Sequence, residues 1–524
     1  MARRSLHSHS FANIPSVSIP RSVFDRSHST KTTFDAGYLI PIFVDEAVPG
    51  DTFSLRMAAF GRLATPLHPF MDQLYLSSFF FAVPVRLIWD NFKKFHGEQT
   101  DPGDSISYLV PTMDAPAGAG HVVGSLSDYF GIPTGVASLT HSSLWHRAYH
   151  AIWNEWFRDE NLQNSAHLDT GDGPDTSTNY VLQRRGKRHD YFTSCLPWPQ
   201  KGTAVGITLA GEAEVHGLGV ENVSPLTGPS TTKETGGTAT TSYANYFSTG
   251  SQSFHIEEDT GNSGYPGVYA DLSTATAQTI NSIRLAVTTQ QLLEKDARAG
   301  TRYTEIIRSH FGVVSPDARQ QRPEYLGGST TLLSVQPVAQ TSETGTTAQG
   351  NLAAFGTVSA AGHGFTKSFT EHCVVLGLVS VRSDLTYQQG LDRMFSRSTR
   401  YDFYFPCFAH IGEQAVLNKE IYADGSANDE LVFGYQERYA EMRFKRSMIT
   451  GQFRSGAATP LDTWHLSQEF GSLPTLNATF IQEDPPVDRV IATPADPHII
   501  LDTYFNYRCA RPMPVYSVPG LTRF

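Results

Sequence analysis

The chain has 524 residues, 40% hydrophobic, 11% aromatic and only 17% charged, with a formal net charge of −11. Such a length is ample for a large core, and the acidic balance excludes a surface that grips nucleic acid throughout. A charged fraction below the usual quarter points to surface committed to other protein. Four scattered cysteines, Cys195, Cys373, Cys407 and Cys509, exclude a disulfide framework and a CxxC zinc site; reduced, buried thiols in a cytoplasm-assembled protein are expected.

Residues 1–31 read as an extended basic arm, with Arg3, Arg4, Arg21, Arg26 and Lys31 against the single acid Asp25. That composition suits either phosphate contact or a disordered tail. The start, MARRSLHSHSFANIP, has no apolar core of a secretory signal, and no apolar run in the chain is long enough to span a membrane. Residues 32–524 are expected to form one domain with insertions. Strands are predicted at 32–44, interrupted by Pro41, at 52–63, where Phe53, Leu55 and Met57 alternate, and at 74–89, ended by Pro84. Further strands are expected at 373–383, 437–453 and 498–514. Many short strands with Gly/Pro turns imply a sandwich or barrel.

Helices interrupt this pattern. SSLWHRAYHAIWNEWFRDENLQ (142–163) carries Leu144, Tyr149, Ile152, Trp153, Trp156 and Phe157 at helical spacing behind a serine. A second helix is predicted over 279–300, with Ile280, Ile283, Val287 and Leu292 on one stripe and Gly300 as its stop, and a third over 301–312 behind Thr301. Between them, 200–275 is rich in Ser, Thr and Gly. Such a stretch is a linker or an exposed excursion, and its rings, Tyr243, Tyr246, Phe247, Phe254 and Tyr265, favour the excursion.

Catalytic templates are missing: the sequence has no phosphate loop, no GxGxxG, no HExxH and no GxSxG. His146 and His150 have metal-ligand spacing but no third ligand. Asp169, Asp172 and Asp175 lie in a Gly loop that does not fit a calcium loop and reads as a solvated turn. QRRGKRHD (183–190) holds the densest basic run, Arg184, Arg185, Lys187 and Arg188, beside Tyr191 and Phe192; it suits nucleic acid or a plain charged loop. In 290–328, Asp296, Arg298, Arg302, Tyr303, Arg308, Arg319 and Arg322 crowd around a Gly-broken helix pair, Glu294 and Arg298 are spaced as a surface pair, and RPEYLGG reads as a rigid turn. No acid and base are poised there, so guanidinium contacts across a packed junction are expected rather than catalysis.

LLEKDARAGTRYTEIIRSHFGVVSPDARQQRPEYLGG resembles a motif of the major capsid proteins of the Microviridae, in particular the gokushovirus branch. Residues 24–98, RAYHAIWNEWFRDENLQ, FPCFAHIGEQAVLNKEIYA, RYAEMRFKRSMITGQFRS, SLPTLNATFIQED and CARPMPVYSVPGL resemble further blocks in order, whereas 200–275 and 335–365 match less closely. The resemblance implies an eight-stranded viral jelly roll, an antiparallel β-sandwich, in a T=1 shell of sixty copies around circular single-stranded DNA. It also implies a protrusion at the three-fold axes built from about 200–275, with Thr240, Tyr243, Tyr246 and Phe247 as candidates and host attachment as its role. The implied partners are further copies of the chain, the single-stranded DNA genome, a small basic DNA-associated viral protein, an internal scaffolding protein during assembly and a host surface receptor. No cofactor, metal or membrane span is implied. The protein would reside in the virion after assembly in the host bacterial cytoplasm. DNA-contact candidates are Arg3, Arg4, Arg184, Arg185, Lys187 and Arg188, and candidates for contact between subunits are Asp296, Arg298, Arg302, Tyr303, Arg308, Arg319 and Arg322. The competing reading is a β-sandwich that binds carbohydrate or acts on glycans as an enzyme.

Overall fold

The computed structural model describes residues 20–206 and 280–516, together with short strands between 214 and 271. By its internal contacts the chain divides into two compact units, residues 1–199 with 296–524, and residues 200–295.

The first unit is built on eight long strands: β1 (His28–Phe34), β2 (Ile40–Ala47), β3 (Thr52–Leu63), β4 (Leu74–Pro84), β5 (Glu324–Ala339), β6 (Leu352–Ser368), β7 (Cys373–Ser383) and β8 (Ile499–Arg511). One continuous antiparallel sheet folds into two four-stranded halves, β1-β8-β3-β6 and β2-β7-β4-β5, joined where β5 pairs with β6. The order 1-8-3-6 facing 2-7-4-5 is that of a jelly roll. The long β5 forms the corner: Glu324–Leu333 pair with β4 and Ser334–Ala339 with β6. A leading strand, Ser22–Asp25, continues the β1 edge along β8, so the boundary drawn at residue 31 falls inside β1.

Side-chain alternation explains the layers. On β3, Phe53, Leu55, Met57, Ala59 and Leu63 point inward while Ser54, Arg56, Ala58, Phe60 and Arg62 face solvent, and β8 alternates likewise. The inward rows of both sheets merge into one core with Phe43, Phe80, Phe365, Val375 and Phe505. β7, CVVLGLVSVRS, is buried along nearly its whole length. Such a run needs cover on both faces. The second cover is α1 (Leu144–Ile152) with the wide turn Trp153–Phe157, packed with Trp89, Met113 and Tyr180 over Val374, Leu376 and Leu378.

Arg147 of α1 is fully buried and grips Asp175 through Nε and Nη2 at 2.7 and 2.6 Å, while Nη1 donates to the carbonyls of Ile88 and Gly171. The Asp169–Asp175 loop is therefore a structural clasp rather than a solvated turn, with Asp172 accepting the Trp89 indole N–H at 2.7 Å. Both helical histidines are structural: His146 Nε2 meets Ser127 Oγ, and His150 meets the carbonyls of His167 and Val181. No cluster of three metal-ligating groups occurs among the described residues.

Four predicted elements differ. The strand expected over 32–44 is split at 35–39 rather than at Pro41, which lies inside β2. The expected strand 437–453 is irregular, with a helical turn at Ala440–Arg443 and a two-residue strand at Ser447–Met448. Its polar residues are held individually, as when Arg446 donates to the carbonyls of Glu420 and Gly390. RPEYLGG is no turn but the start of β5. A bulge separates Tyr325 from Gly327, and the glycines allow close approach on two sides: a Cβ on Gly328 would strike the Ser78 carbonyl of β4, and one on Gly327 the Gly364 carbonyl of β6. The third helix begins at Tyr303 with Arg302, not Thr301, as its cap. Cys195, Cys373 and Cys509 are buried as free thiols, whereas Cys407 is exposed. No helix among the described residues is long and apolar enough to cross a membrane.

In the second unit, Glu214–His216 pairs with Tyr269–Asp271, Leu218–Glu221 with Ser253–Ile256, and Thr232–Lys233 with Ala239–Thr240. The Ser/Thr/Gly-rich segment thus contains nested antiparallel pairs rather than a plain linker. Thr240 belongs to the innermost pair, while Tyr243, Tyr246 and Phe247 lie outside the described residues.

Candidate interface and the arginine-rich cleft

The helix pair that drew attention in the sequence is α2 (Ile280–Ala299) and α3 (Tyr303–Phe311), broken at Gly300, whose φ of +94 only glycine adopts readily. Glu305 reaches back to the Arg302 backbone N–H, and Gly312 closes α3 in a left-handed conformation. Arg302 is the hub: its guanidinium pairs with Glu160 and Glu305 and donates to the carbonyls of Asn154 and Arg158 at 2.7 and 3.1 Å. Arg322 pairs with Asp317, donates to Thr304 and stacks 4.4 Å from the Trp156 ring, whose own N–H donates to the Pro323 carbonyl. Arg298 turns to Glu413 and Glu437 instead of Glu294, and Asp296 receives His310.

These groups therefore join α3 to the turn after α1 and to β5 within one chain. Tyr303, Arg308 and Arg319 differ, standing exposed without a side-chain hydrogen bond or ion pair among the described residues. The apolar stripe of α2 is exposed as well, with Ile280, Ile283, Val287 and Leu292 at 69%, 40%, 50% and 49%.

The basic run of 184–188 is largely consumed by the fold. Arg184 donates to the Glu483 carbonyl and pairs with Asp484 while covering Tyr38. Arg188 pairs with Asp384 and lies over Tyr75. Lys187 is buried, donates to Gln468 Oε1 at 2.9 Å and sits 4.5 Å from the Phe480 ring; burial pushes it down to about 8. Arg185 is over the Phe79 ring, and burial pushes it down to about 9. With Arg382, Lys187 surrounds the buried Glu483, whose carboxyl burial pushes up. Arg3 and Arg4 lie outside the described residues.

The structure brings the two sequence stretches together. Arg185 and Lys187 from one, and Arg302 and Glu305 from the other, line a cleft of about 650 Å³ with Trp156 and Tyr325 on its wall. The cleft holds cations and aromatic faces that suit contact. Of its acids, Glu160 and Glu305 are both engaged by Arg302, while Asp159 accepts the backbone N–H groups of Asn161 and Leu162. What sequence reasoning missed is a second basic group, Arg56, Arg62 and Arg508, spread over two strands on the open face of the first sheet; period-two alternation was its one signal.

Two four-stranded halves in jelly-roll order around one core define a jelly-roll β-sandwich. The chain matches the family described as "Capsid protein (F protein)" over residues 12–521, and it belongs to that phage capsid family. It is 49% identical over 520 residues to the capsid protein VP1 of Bdellovibrio phage phiMH2K, covering 98% of this chain and 97% of that relative. It is 47% identical to the capsid protein VP1 of Chlamydia phage 1, covering 98% of each. Against the capsid protein VP1 of Spiroplasma virus 4 it is 38% identical, covering 100% of this chain and 99% of the relative. All three are Microviridae. These relatives are structural proteins rather than enzymes, which sets aside the glycan-active reading.

Proposed function

We propose that this capsid protein tiles a closed T=1 shell of sixty copies around circular single-stranded DNA. The observation that carries the reading is the complete jelly-roll strand order in a chain matched end to end by phage capsid proteins. A wedge of two sheets offers loops and edges to neighbours around symmetry axes, and each contact must bury on the order of 1,000 Å² to persist. Tyr303, Arg308, Arg319 and the exposed stripe of α2 supply surface of the required kind. Around 200–275, the nested strand pairs fit a raised protrusion at the three-fold axes that takes part in host attachment through a surface receptor. An internal scaffolding protein guides assembly in the bacterial cytoplasm, and a small basic protein offsets DNA charge that a chain of net charge −11 leaves unneutralised.

Electron cryo-microscopy of purified particles tests this reading. The expected result is a closed icosahedron of sixty copies containing single-stranded DNA; a stable monomer, or a shell of another copy number, overturns it. Deleting 225–252 is expected to leave assembly intact and abolish attachment, whereas normal attachment would remove that role from the insertion.

A further inference from the structure

Among the described residues, the outward side chains of β3 and β8 are exposed, in contrast to the outer face of the partner half beneath α1. Along β3 the solvent-facing residues read Ser54, Arg56, Ala58, Phe60, Arg62. The register sets Asn506 opposite Arg56, Tyr504 opposite Ala58, Asp502 opposite Phe60 and Arg508 opposite Ser54. On the other flank, Ser359 lies opposite Phe60 and Ala361 opposite Ala58. The result is an exposed strip with small residues at Ser54, Ala58, Ser359 and Ala361, from which Ile500, opposite Arg62, and two rings rise, Phe60 at 52% and Tyr504 at 51% exposure.

Charge on this face runs against the molecule. Arg56, Arg62, Arg508 and Lys31 stand against Asp502, which Lys31 pairs at 3.6 Å, and Asp25, opposite Arg508 on the leading strand. Arg56 and Arg62 make no ion pair or side-chain hydrogen bond among the described residues, and Arg508 makes none beyond its electrostatic attraction to Asp25. A large aromatic side chain left in water on a β surface forgoes roughly 1.5–3 kcal/mol of burial, and bare guanidinium groups beside it ask for an anion. A basic partner protein is disfavoured by the same charges. Single-stranded nucleic acid meets both demands, because every base has a face that stacks on a ring and every linkage carries a phosphate for arginine. Six residues of β3 span about 20 Å, room for on the order of four nucleotides.

We infer that this sheet face is a docking platform for the packaged single strand, with Phe60 and Tyr504 stacking bases and Arg56, Arg62 and Arg508 holding phosphates. The inference rests on the proposed enclosure of single-stranded DNA and names where the strand lies. Stacking and phosphate contact carry no base code, so the platform takes any sequence.

The test is ultraviolet crosslinking of intact particles followed by mass spectrometry of the peptides, on the native protein and on a variant carrying Arg56→Gln, Arg62→Gln and Arg508→Gln. Nucleotide adducts are expected on the Phe60 and Tyr504 peptides, with at least a fivefold lower yield in the variant while its shells still close. Adducts confined to other peptides in DNA-filled particles overturn the platform and leave the enclosure reading standing. Particles devoid of single-stranded DNA overturn both. A variant that melts normally yet fails to close shells overturns the platform by making the face a contact between copies. The salt dependence of oligothymidylate binding by the dissociated full-length protein gives an independent readout. The slope of log affinity against log salt is expected to become shallower by about 0.7 for each phosphate contact removed, and an unchanged slope counts against the platform.

Discussion

Two basic regions of this molecule behave in opposite ways. The run Arg184–Arg188 is conspicuous in the sequence, yet its cations are spent on the fold: Arg184 on Glu483 and Asp484, Lys187 on Gln468, Arg188 on Asp384, and Arg185 over Phe79. Arg56, Arg62 and Arg508 are inconspicuous, separated by apolar residues and by more than four hundred positions, yet they converge on one open face, Arg508 beside Asp25 and the other two with no ion pair or side-chain hydrogen bond among the described residues. Density of charge along a chain thus says little about charge available in space. A loop crossing a packed layer must pair its cations with whatever lies under it, whereas alternate strand residues share a face at no cost to the core.

The largest test of this contrast lies below the surface. Arg147→Ala leaves Asp175 buried and unpaired, and a loss of about 3–5 kcal/mol is expected in chemical denaturation. Lys187→Glu comes next. It sets a second carboxylate beside Glu483, and on the order of 3 kcal/mol should be lost; a neutral outcome would show that 184–188 is a surface loop after all. Gly328→Ala, which drives a methyl group into the Ser78 carbonyl, is expected to lower stability by about 1–3 kcal/mol.

Acid should act on the α1 layer and spare the open sheet face. Burial, with His141 and His121 nearby, pushes His146 down to about 3 from an ordinary 6.5. Its folded value lies below its unfolded one, so the unfolded chain binds the extra proton and stability falls as pH drops from 6.5 toward 3. The melting temperature is expected to be lower at pH 5 than at pH 7.5, and His146→Gln to narrow that difference; an unchanged difference would assign the acid sensitivity to other groups. The smallest effect belongs to the exposed set: Arg56→Gln or Arg62→Gln should stay within about 0.5 kcal/mol of the parent.

Much of the architecture was legible because it follows from local periodicity. The alternation in 52–63 and 498–514, the unbroken apolar run of 373–383 and the ring-bearing helix from Leu144 each report which faces are covered. β5 was not legible, since its glycines, which allow close approach to β4 and β6, look like a turn to any local rule. The site was legible only in part. Arg302 and Arg322 were singled out, but that their charges would be met by Glu160 and Asp317 of the same chain was not. Arg147 went unnoticed because burial, which makes it matter, leaves no mark on the residue itself.

By itself the sequence determined the class of fold, the resemblance to a phage capsid family and the placement of a long polar excursion, since periodicity, turn residues and extended motifs are all local properties. Tertiary structure decided which cations remain free, which acids are clasps rather than solvated turns, and which rings stand in water. Those outcomes depend on what packs opposite a residue, and long-range pairing such as that of β1 with β8 joins positions that no local window contains.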